Sequence, residues 1–493
     1  MLPNMTTLAP PPVERRHVEP TPILVGPVAS RGREWVSSSV AFLALVAVAA
    51  MVSVVFWPGH MNLDTLDELR QAQAGWYDTW HTPVLSALWR VLILAGLHSP
   101  GWVLAGGLLT LLVGFYLLLR IRLSRPWAFA GAALLLVFPP VLGFDVELGT
   151  DAWFTAAIVC GFGFASRCAR TSGLSRLASV AAAVLMALLA IGARPTAVPL
   201  VFVLMCALCL VLLPGRLRGW RRLLGITSVA VVTTLALYGS IVGLERYVLH
   251  ASFSHPEAIT YYDDLVALSV AEHQVLLPAD VFPSQDINYL DRLASPPGPL
   301  DIGPLFFGSN PPAAPVSLND AQARTLQHAW MRAILRHPYA YLRERAAGAG
   351  WQLALSGPAE IVFYGTYTYP PQPPGSGFTP AHRTLDGKAT KYVGIGANSE
   401  GIVGGPLQRV WLYVLVLLLV VALALRRGRR MEDMLQALVS SALLLYAAEI
   451  LIIGPGVQYR YMYPAVTVGA AMFILLVVSV GGWLRTRGAP RST

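Results

Sequence analysis

Carboxylates and arginines stand next to long apolar runs at four places in this chain. The first is "HMNLDTLDELRQAQAGWYDTWHTPVLSALWR", which starts at His60 and carries Asp64, Asp67, Glu68 and Asp78. A carboxylate can take the proton of a hydroxyl, and an arginine can hold a phosphate through paired N–H donors. Because charged groups at membrane depth are costly, they tend to be kept for a function.

The other three stretches also lie at predicted helix ends. They are "FDVELGTD" with Asp145, Glu147 and Asp151, "IGARPTAVP" with Arg194, and "GPGVQYRYMYP" with Arg460. Both arginines have a structural alternative, because an arginine at a helix end commonly extends to the membrane interface. The three tyrosines around Arg460 likewise fit an interfacial aromatic belt.

The acidic residues and the histidine have structural alternatives too. Asp64, followed by Asp67 and Glu68, fits an N-cap with an acidic first turn. His81 in "HTP" fits the start of a helix. Glu449, about one turn inside an apolar run, is either a buried hydrogen-bonded carboxyl or the partner of one of the arginines.

The elements that position these residues are membrane-spanning helices. The 493 residues are 55% hydrophobic and 13% charged, with a mean hydropathy of +0.56, which is typical of a multi-pass membrane protein. Apolar runs of roughly the length that crosses a bilayer are Val36–Trp57, Gly101–Leu119, Trp127–Leu142, Ala152–Ala165, Leu177–Gly192, Ala197–Leu213, Leu223–Leu244, Leu407–Leu425, Met434–Ile453 and Met462–Leu484.

The arginine clusters predict the orientation, since short cytoplasmic loops retain arginine and lysine. All the clusters can be cytoplasmic only if Pro83–Leu97 does not cross the membrane. The sequence then predicts about ten crossings with both termini inside, and it places 21 of the 36 basic residues in the cytoplasm. The net charge of +9 is explained by this topology, so no nucleic-acid partner is predicted.

The predicted fold is an all-α polytopic membrane protein with juxtamembrane helices on its outer face and an irregular extracytoplasmic cap. Residues 1–34 form a disordered cytoplasmic tail, and 35–244 form an N-terminal membrane core that includes the outer loop 58–100. Residues 245–406 are extracytoplasmic, and 407–493 are C-terminal spans with a short tail. Clusters of Pro and Gly predict irregular structure in the cap.

Two helices are nevertheless predicted inside the cap. Asn319 or Asp320 can cap a helix that runs to Arg336, and Pro338 suits the first turn of another.

The four charged stretches together give a resemblance to a known superfamily. The order "MNLDTLDELRQAQAGWYDTWHTPVLSALW", "FPPVLGFDVELGTDAWFTAAIV", "ARPTAVPLVF" and "QYRYMYP" resembles bacterial membrane glycosyltransferases of the GT-C superfamily. The pattern is similar to that of the protein O-mannosyltransferase and aminoarabinose transferase group. Two positions depart from it, because "HTP" replaces the commoner His-Pro-Pro and "GTDAW" lacks a basic residue before its Asp.

The resemblance implies an inverting enzyme that moves a sugar from a polyprenyl-phosphate carrier to an extracytoplasmic acceptor. It implies a catalytic Asp in the first outer loop, matching Asp64 best and Asp67 next. A second acidic position maps onto Asp151, then Asp145 or Glu147. The residues predicted to bind the donor phosphate are Arg194, Arg460, His81 and Tyr461.

Other functions are compatible with the same sequence. A polysaccharide polymerase or ligase acting on lipid-linked glycans would also use a large outer segment, and a transporter or a non-catalytic assembly component would also be polytopic. Under the main hypothesis the partners are membrane lipid, the polyprenyl-phosphate sugar and an unidentified acceptor. No cofactor is predicted, and a metal requirement is left open. The predicted location is a bacterial cytoplasmic membrane, with the active site on its outer face.

Overall fold

The structure, a computed structural model, describes residues 31–61, 63–213, 219–294, 302–307, 313–315, 317–355, 406–427, 430–454 and 459–488. Its helices are α1 Arg31–Phe56, α2 Leu63–Ala74, α3 Pro83–Leu94, α4 Gly101–Leu119, α5 Arg125–Leu136, α6 Pro139–Asp145, α7 Thr150–Cys168, α8 Gly173–Ala193, α9 Val198–Leu212, α10 Trp220–Gly243, α11 Ala258–Ala271, α12 Ile287–Ala294, α13 Gly303–Phe307, α14 Asp320–Arg336, α15 Pro338–Gln352, α16 Val410–Arg427, α17 Met431–Ile453 and α18 Tyr459–Gly488. No β-strand occurs within these ranges, so the predicted all-α fold is confirmed. Most of the predicted N-terminal tail lies outside the described residues.

The sequence predicts about ten membrane crossings. Within the described residues, eight helices are long and apolar enough to cross a membrane, or nine if α5 and α6, bent by 65°, count as one span. The remaining predicted span corresponds to α7, which has 19 residues and is buried along nearly its whole length. A helix surrounded by other helices needs less apolar surface than one facing lipid, and α7 carries both Asp151 and Arg167.

Contacts between loops divide the helix bundle into two ends. At one end, which we call the acidic end (57–60, 146–151, 194 and 459–461), the His60 N–H donates to Val146 O (3.0 Å) and the Leu148 N–H donates to His60 O (3.0 Å). At the other, the arginine end (120–125, 167–176 and 426–433), Arg122 pairs with Glu432 at 2.5 Å. Thus α5 and α6 together lead from the arginine end to the acidic end, and α7 leads back. Counting these two passages, the described residues pass between the two ends ten times.

Helix α3 does not cross, as the arginine distribution predicts. Its 12 residues would extend only about 18 Å. Trp57, just after α1, lies against Gly101 at the start of α4, because a Cβ on Gly101 would fall 2.4 Å from the Trp57 ring. The chain therefore leaves and re-enters the bundle at the same end, and the segment between these two points lies on that end.

Helix α7 occupies the centre of the bundle, against α4, α8, α9 and α18. Its contact with α4 depends on glycine: a Cβ on Gly114 would lie 2.7 Å from the Cys160 backbone nitrogen. A Cβ on Gly163 would lie 2.9 Å from the Leu117 Cβ. Small residues at such positions let two helix backbones approach closely in a membrane. The first turn of α7 thereby lies next to the loops of the acidic end.

The segment predicted to be extracytoplasmic is more regular than its Pro and Gly content predicts. Its described part forms α11 to α15 around a separate apolar core that includes Tyr262, Leu290 and Leu326. The short helix α13 lies inside one Pro-Gly-rich stretch. The predicted α14 cap is confirmed, since the Asn319 side chain accepts from Ala321 N (3.0 Å) and Gln322 N (3.0 Å). The second Pro-rich stretch, "YTYPPQPPGSGF", lies outside the described residues.

Candidate active site

Four helix termini bring the predicted site residues together at the acidic end. Asp64 lies in the first turn of α2, Asp151 in the first turn of α7, Arg194 directly after α8 and Arg460 in the first turn of α18. The paired loops at His60 and Val146 hold α2 beside α7. Residues that are up to 396 positions apart in the sequence therefore share one site.

Asp64 forms an ion pair with Arg460, with Asp64 Oδ2 2.7 Å from Arg460 Nη1. About 45% of the Asp64 side chain is accessible, so another molecule could reach it. Desolvation alone would raise the pKa of Asp64, but the charges of Arg460, His81 and Arg194 outweigh it and lower that pKa below its ordinary value. The N-cap interpretation is wrong, because α2 already begins at Leu63 and the Asp64 side chain points to another helix.

Arg194 forms the second ion pair, with Nη1 2.6 Å from Asp151 Oδ1. Both side chains are largely buried, and Arg194 also donates to the Tyr446 hydroxyl at 3.4 Å. The Tyr461 ring lies near both arginines, with its centroid 4.9 Å from the guanidinium carbon of Arg194 and 5.1 Å from that of Arg460. The site therefore contains two guanidinium groups near one aromatic ring, each paired with a different carboxylate.

The tyrosines near Arg460 do not form an interfacial belt. Tyr459, Tyr461 and Tyr463 are all buried. The Tyr459 hydroxyl donates to Pro140 O (3.2 Å) and the Tyr463 hydroxyl donates to Val141 O (3.0 Å), which fixes α18 against α6. These contacts orient the first turn of α18 so that Arg460 faces the site.

Asp67 and His81 form a second part of the site. His81 Nε2 lies 3.4 Å from Asp67 Oδ2, and the Gln71 side chain donates to the same carboxylate at 3.0 Å. Asp78 closes the loop between α2 and α3 by accepting from Trp80 N (3.0 Å). His81 thus has a partner in the site and does not only precede α3.

Sequence reasoning missed Glu68 as a site residue and treated it as part of an acidic helix turn. Its side chain is buried, and among the described residues no group forms a hydrogen bond with its Oε2. Desolvation, followed by the charges of Asp64, Asp151 and Asp67, raises the pKa of Glu68 well above its ordinary value. The spacing of four residues from Asp64 was the available signal, because it puts both carboxyls on one face of α2.

Two of the three positions considered for the second acidic residue, Asp145 and Glu147, lie in the segment that precedes α7. Asp145 is buried on α6, where its neighbour Phe144 packs against Tyr463 at 4.5 Å. Glu147 forms a backbone bridge with His60. The geometry favours Asp151, and within the described residues Glu449 forms no ion pair with an arginine.

The described part of the chain shows no evident metal site. There, no group of three or more His, Cys, Asp and Glu side chains is arranged to hold a metal ion. The carboxylates near Arg194 and Arg460 are instead engaged by those arginines.

Comparison with known proteins gives only distant likenesses. No family model matches the chain, and no curated protein matches it significantly. An Archaeoglobus fulgidus oligosaccharyltransferase structure with a tethered acceptor peptide has a TM-score of 0.38 and 13% identity, covering 92% of this chain and 51% of that one. A second structure of that archaeal oligosaccharyltransferase, with an inhibitory peptide and a dolichol-phosphate, gives 0.37 and 14%, covering 94% and 53%.

This chain therefore spans about half the length of each matched protein. At this level of similarity the likeness assigns neither a family nor an activity to the chain. The functional conclusion rests on the residues of the site.

Proposed function

We propose that this protein is a membrane glycosyltransferase that moves a sugar from a polyprenyl-phosphate carrier to an acceptor outside the cytoplasm. The observation that carries the proposal is the convergence of Arg194 and Arg460 near Tyr461, beside the accessible carboxylate of Asp64. Arg194, Arg460 and Tyr461 lie at the ends of candidate membrane spans, and Asp64 lies on α2 beside them. In the proposal this end faces outward, at the layer to which a lipid-linked phosphate is confined.

The two arginines suit a phosphate group. Guanidinium groups match phosphate oxygens through paired N–H donors, and such charge-assisted bonds are among the strongest in proteins. In the proposed complex, phosphate oxygens replace Asp64 on Arg460 and Asp151 on Arg194. The same groups then stabilise the negative charge that develops on the departing phosphate.

An apolar hollow near the same end of the bundle offers a place for the first part of the prenyl chain. It lies between α3, α4 and α7, has a volume of about 150 Å³, and is lined by residues that include Leu85, Trp89, Trp102 and Trp153. Trp153 and Asp151 belong to the same turn of α7 but to different faces of it, so the hollow lies at about the same level of the bundle as the proposed phosphate position.

Asp64 is the proposed general base. As Arg460 turns to the phosphate, the positive charge that lowers the Asp64 pKa moves away, and the carboxylate becomes more basic. It then takes the proton of the acceptor hydroxyl while the hydroxyl oxygen bonds to the sugar C1. The C1–O bond to the phosphate breaks, and its electron pair leaves with the polyprenyl phosphate. Asp67, held by His81, is the second candidate for this role.

The extracytoplasmic segment is the proposed site of acceptor binding. It is hydrogen-bonded to the loop between α2 and α3. The Thr79 N–H donates to Ser252 O (2.9 Å) and the Ser252 N–H donates to Tyr77 O (2.9 Å). These bonds connect the α2–α3 loop, which contains Asp78 and His81, to the segment just before α11. An acceptor held by the segment would thus lie close to Asp64 and Asp67.

The direct test supplies the purified protein, in lipid, with a panel of polyprenyl-phosphate sugars and measures release of polyprenyl phosphate. We expect one donor to turn over, and the Asp64→Asn variant to lose about 10²- to 10⁴-fold in rate while still being stabilised by that donor. Asp67→Asn should be the next most damaging change.

The alternatives give different results. Turnover only of pyrophosphate-linked glycans would identify a polymerase or ligase, and uptake into vesicles without release of the carrier would identify a transporter. Unchanged turnover in both Asp variants would remove the first outer loop from the mechanism.

A further inference from the structure

The extracytoplasmic segment has an apolar corner where α14 meets α15. Met331 and Leu335 are one turn apart on α14, and Tyr339 and Leu342 are three apart on α15, so each pair lies on one face of its helix. All four are exposed, with Leu335 73% and Tyr339 79% accessible. We call these four residues the α14–α15 corner.

Basic side chains surround the corner. Arg332, Arg336 and Arg343 are exposed beside it, and its nearest carboxylate in sequence, Glu344, is engaged by Arg343 at 3.1 Å. Within the described residues, no ion pair involves Arg332 or Arg336. Exposed apolar groups flanked by arginines are typical of helices that lie in the headgroup layer of a membrane.

The corner is held at the level where a membrane span ends. The Tyr341 hydroxyl is 3.5 Å from Ile452 O, and Arg345 Nη1 donates to Gly454 O at 2.6 Å. Ile452 and Ile453 form the last turn of α17, a candidate membrane span, and both are exposed on its surface. The exposed surface at the end of α17, which would face lipid, is therefore next to the place where α15 contacts α17.

A buried polar cluster fixes the direction in which the corner points. Asp264, on α11, accepts from Trp330 Nε1 at 2.7 Å and pairs with Arg345 Nη2 at 2.6 Å. Trp330 comes just before Met331, and Arg345 is three residues after Leu342. The cluster thus ties α14 and α15 to each other and, through Arg345, to the end of α17.

From these observations we propose that the α14–α15 corner docks on the outer leaflet of the bilayer. Its apolar side chains enter the headgroup layer, and Arg332 and Arg336 bind anionic lipid headgroups. The occupant is lipid rather than a protein partner, because the corner continues a surface that already faces lipid and carries the complementary charge. The docking does not depend on the proposed enzymatic activity.

The test uses spin labels on the full chain in nanodiscs of pure phosphatidylcholine, or of phosphatidylcholine and phosphatidylglycerol in equal parts. Leu335→Cys and Leu342→Cys carry the label at the corner, and Thr325→Cys, exposed on another face of α14, is the control. We expect the corner labels to collide more with oxygen and less with a water-soluble nickel complex than the control does. The difference in collision rates between the corner labels and the control should be larger in nanodiscs that contain phosphatidylglycerol. In the Arg332→Glu, Arg336→Glu background, phosphatidylglycerol should no longer enlarge that difference.

Collision rates at both corner positions equal to those of the control, in both lipid mixtures, would overturn the proposal and leave the corner to a protein partner. Rates that respond to neither phosphatidylglycerol nor the two charge reversals would also overturn it, because the arginines would then have no lipid to bind. Both labelled leucines are exposed, so their replacement is not expected to disturb the fold.

Discussion

The two ends of the bundle both contain arginines, but the groups that these arginines contact differ. At the arginine end, Arg170 donates to Arg120 O and Leu117 O, Arg176 donates to Val211 O at 2.5 Å, and Arg427 donates to Ser479 O at 2.7 Å. Most of these carbonyls lie at or near the C-terminal ends of helices. Arginines there satisfy carbonyls left without intrahelical partners and complement the helix dipole.

At the acidic end, Arg194 and Arg460 contact carboxylates and the Tyr461 ring. A helix-end carbonyl is a permanent partner, whereas a carboxylate side chain can yield its position to another anion. Residue type alone therefore does not separate a structural arginine from a ligand-binding one. The surroundings do: Arg122, at the arginine end, also pairs with carboxylates, whereas Arg194 and Arg460 both lie near the Tyr461 ring. The following predictions test that distinction from the largest expected effect to the smallest.

The first prediction concerns the two sides of the membrane. Gln73 and Ser124 are exposed at the acidic and arginine ends, and the four native cysteines are buried. In intact cells, an impermeant maleimide should label Gln73→Cys and should label Ser124→Cys only after permeabilisation. The reverse pattern would invert the orientation, and equal labelling of both variants would show that the two ends are not on opposite sides.

The second prediction concerns the buried pair of Arg194 and Asp151. Arg194→Gln leaves the Asp151 carboxylate without its partner, and breaking a buried pair typically costs about 3–5 kcal/mol of stability. Adding Asp151→Asn removes the unpaired charge and should restore most of the thermal stability. Donor binding should stay weak in the double variant, because Asn and Gln cannot hold the phosphate. Full donor affinity in that variant would make Arg194 a structural residue.

The third prediction compares one arginine from each end. Arg460→Gln should weaken donor binding by roughly ten- to a hundredfold, as expected for a lost hydrogen bond to a charged group. Arg460→Lys should restore binding only in part. Arg122→Gln, which removes the partner of Glu432 and Asp433, should lower thermal stability without changing donor affinity. Equal donor affinities for all three variants would contradict the distinction between the two ends.

Much of the fold could be predicted from the sequence, because membrane spans and helix caps are local signals. The lengths of the apolar runs and the arginine clusters predicted the bundle and the position of α3 outside it. A helix start at Asn319 or Asp320 could be predicted because both residue types favour the cap position. In contrast, the core of the segment predicted to be extracytoplasmic is formed by short helices between Pro and Gly clusters, and no single stretch of sequence indicates that core.

The site could be predicted only as a set of residues. Sequence position placed Asp64, Asp151, Arg194 and Arg460 at helix ends on one face of the membrane, but it did not show which acid pairs with which arginine. That pairing depends on how α2, α7, α8 and α18 pack. Glu68 was missed for the same reason, since its burial follows from the face of α2 that packs against the bundle.

The last prediction contrasts the buried carboxyls Glu68 and Asp433. Glu68 binds its proton more tightly in the folded state than its ordinary pKa of 4.5 implies, because burial raises that pKa. Stability should therefore fall as pH rises from 4.5 toward the folded-state pKa, by up to about 1.4 kcal/mol per pH unit. Glu68→Gln is neutral at every pH and should flatten this slope when thermal stability is measured between about pH 5 and 8.

Asp433→Asn provides the matched control at the arginine end. There the carboxylate pairs with Arg122, so its removal should lower stability at each pH by leaving the guanidinium with Glu432 as its remaining acidic partner. Identical pH slopes for the parent and the Glu68→Gln variant would show that Glu68 is ionised in the folded protein. The acidic end would then carry one more negative charge next to Asp64, and Arg460 would have to balance both carboxylates before it could bind a phosphate.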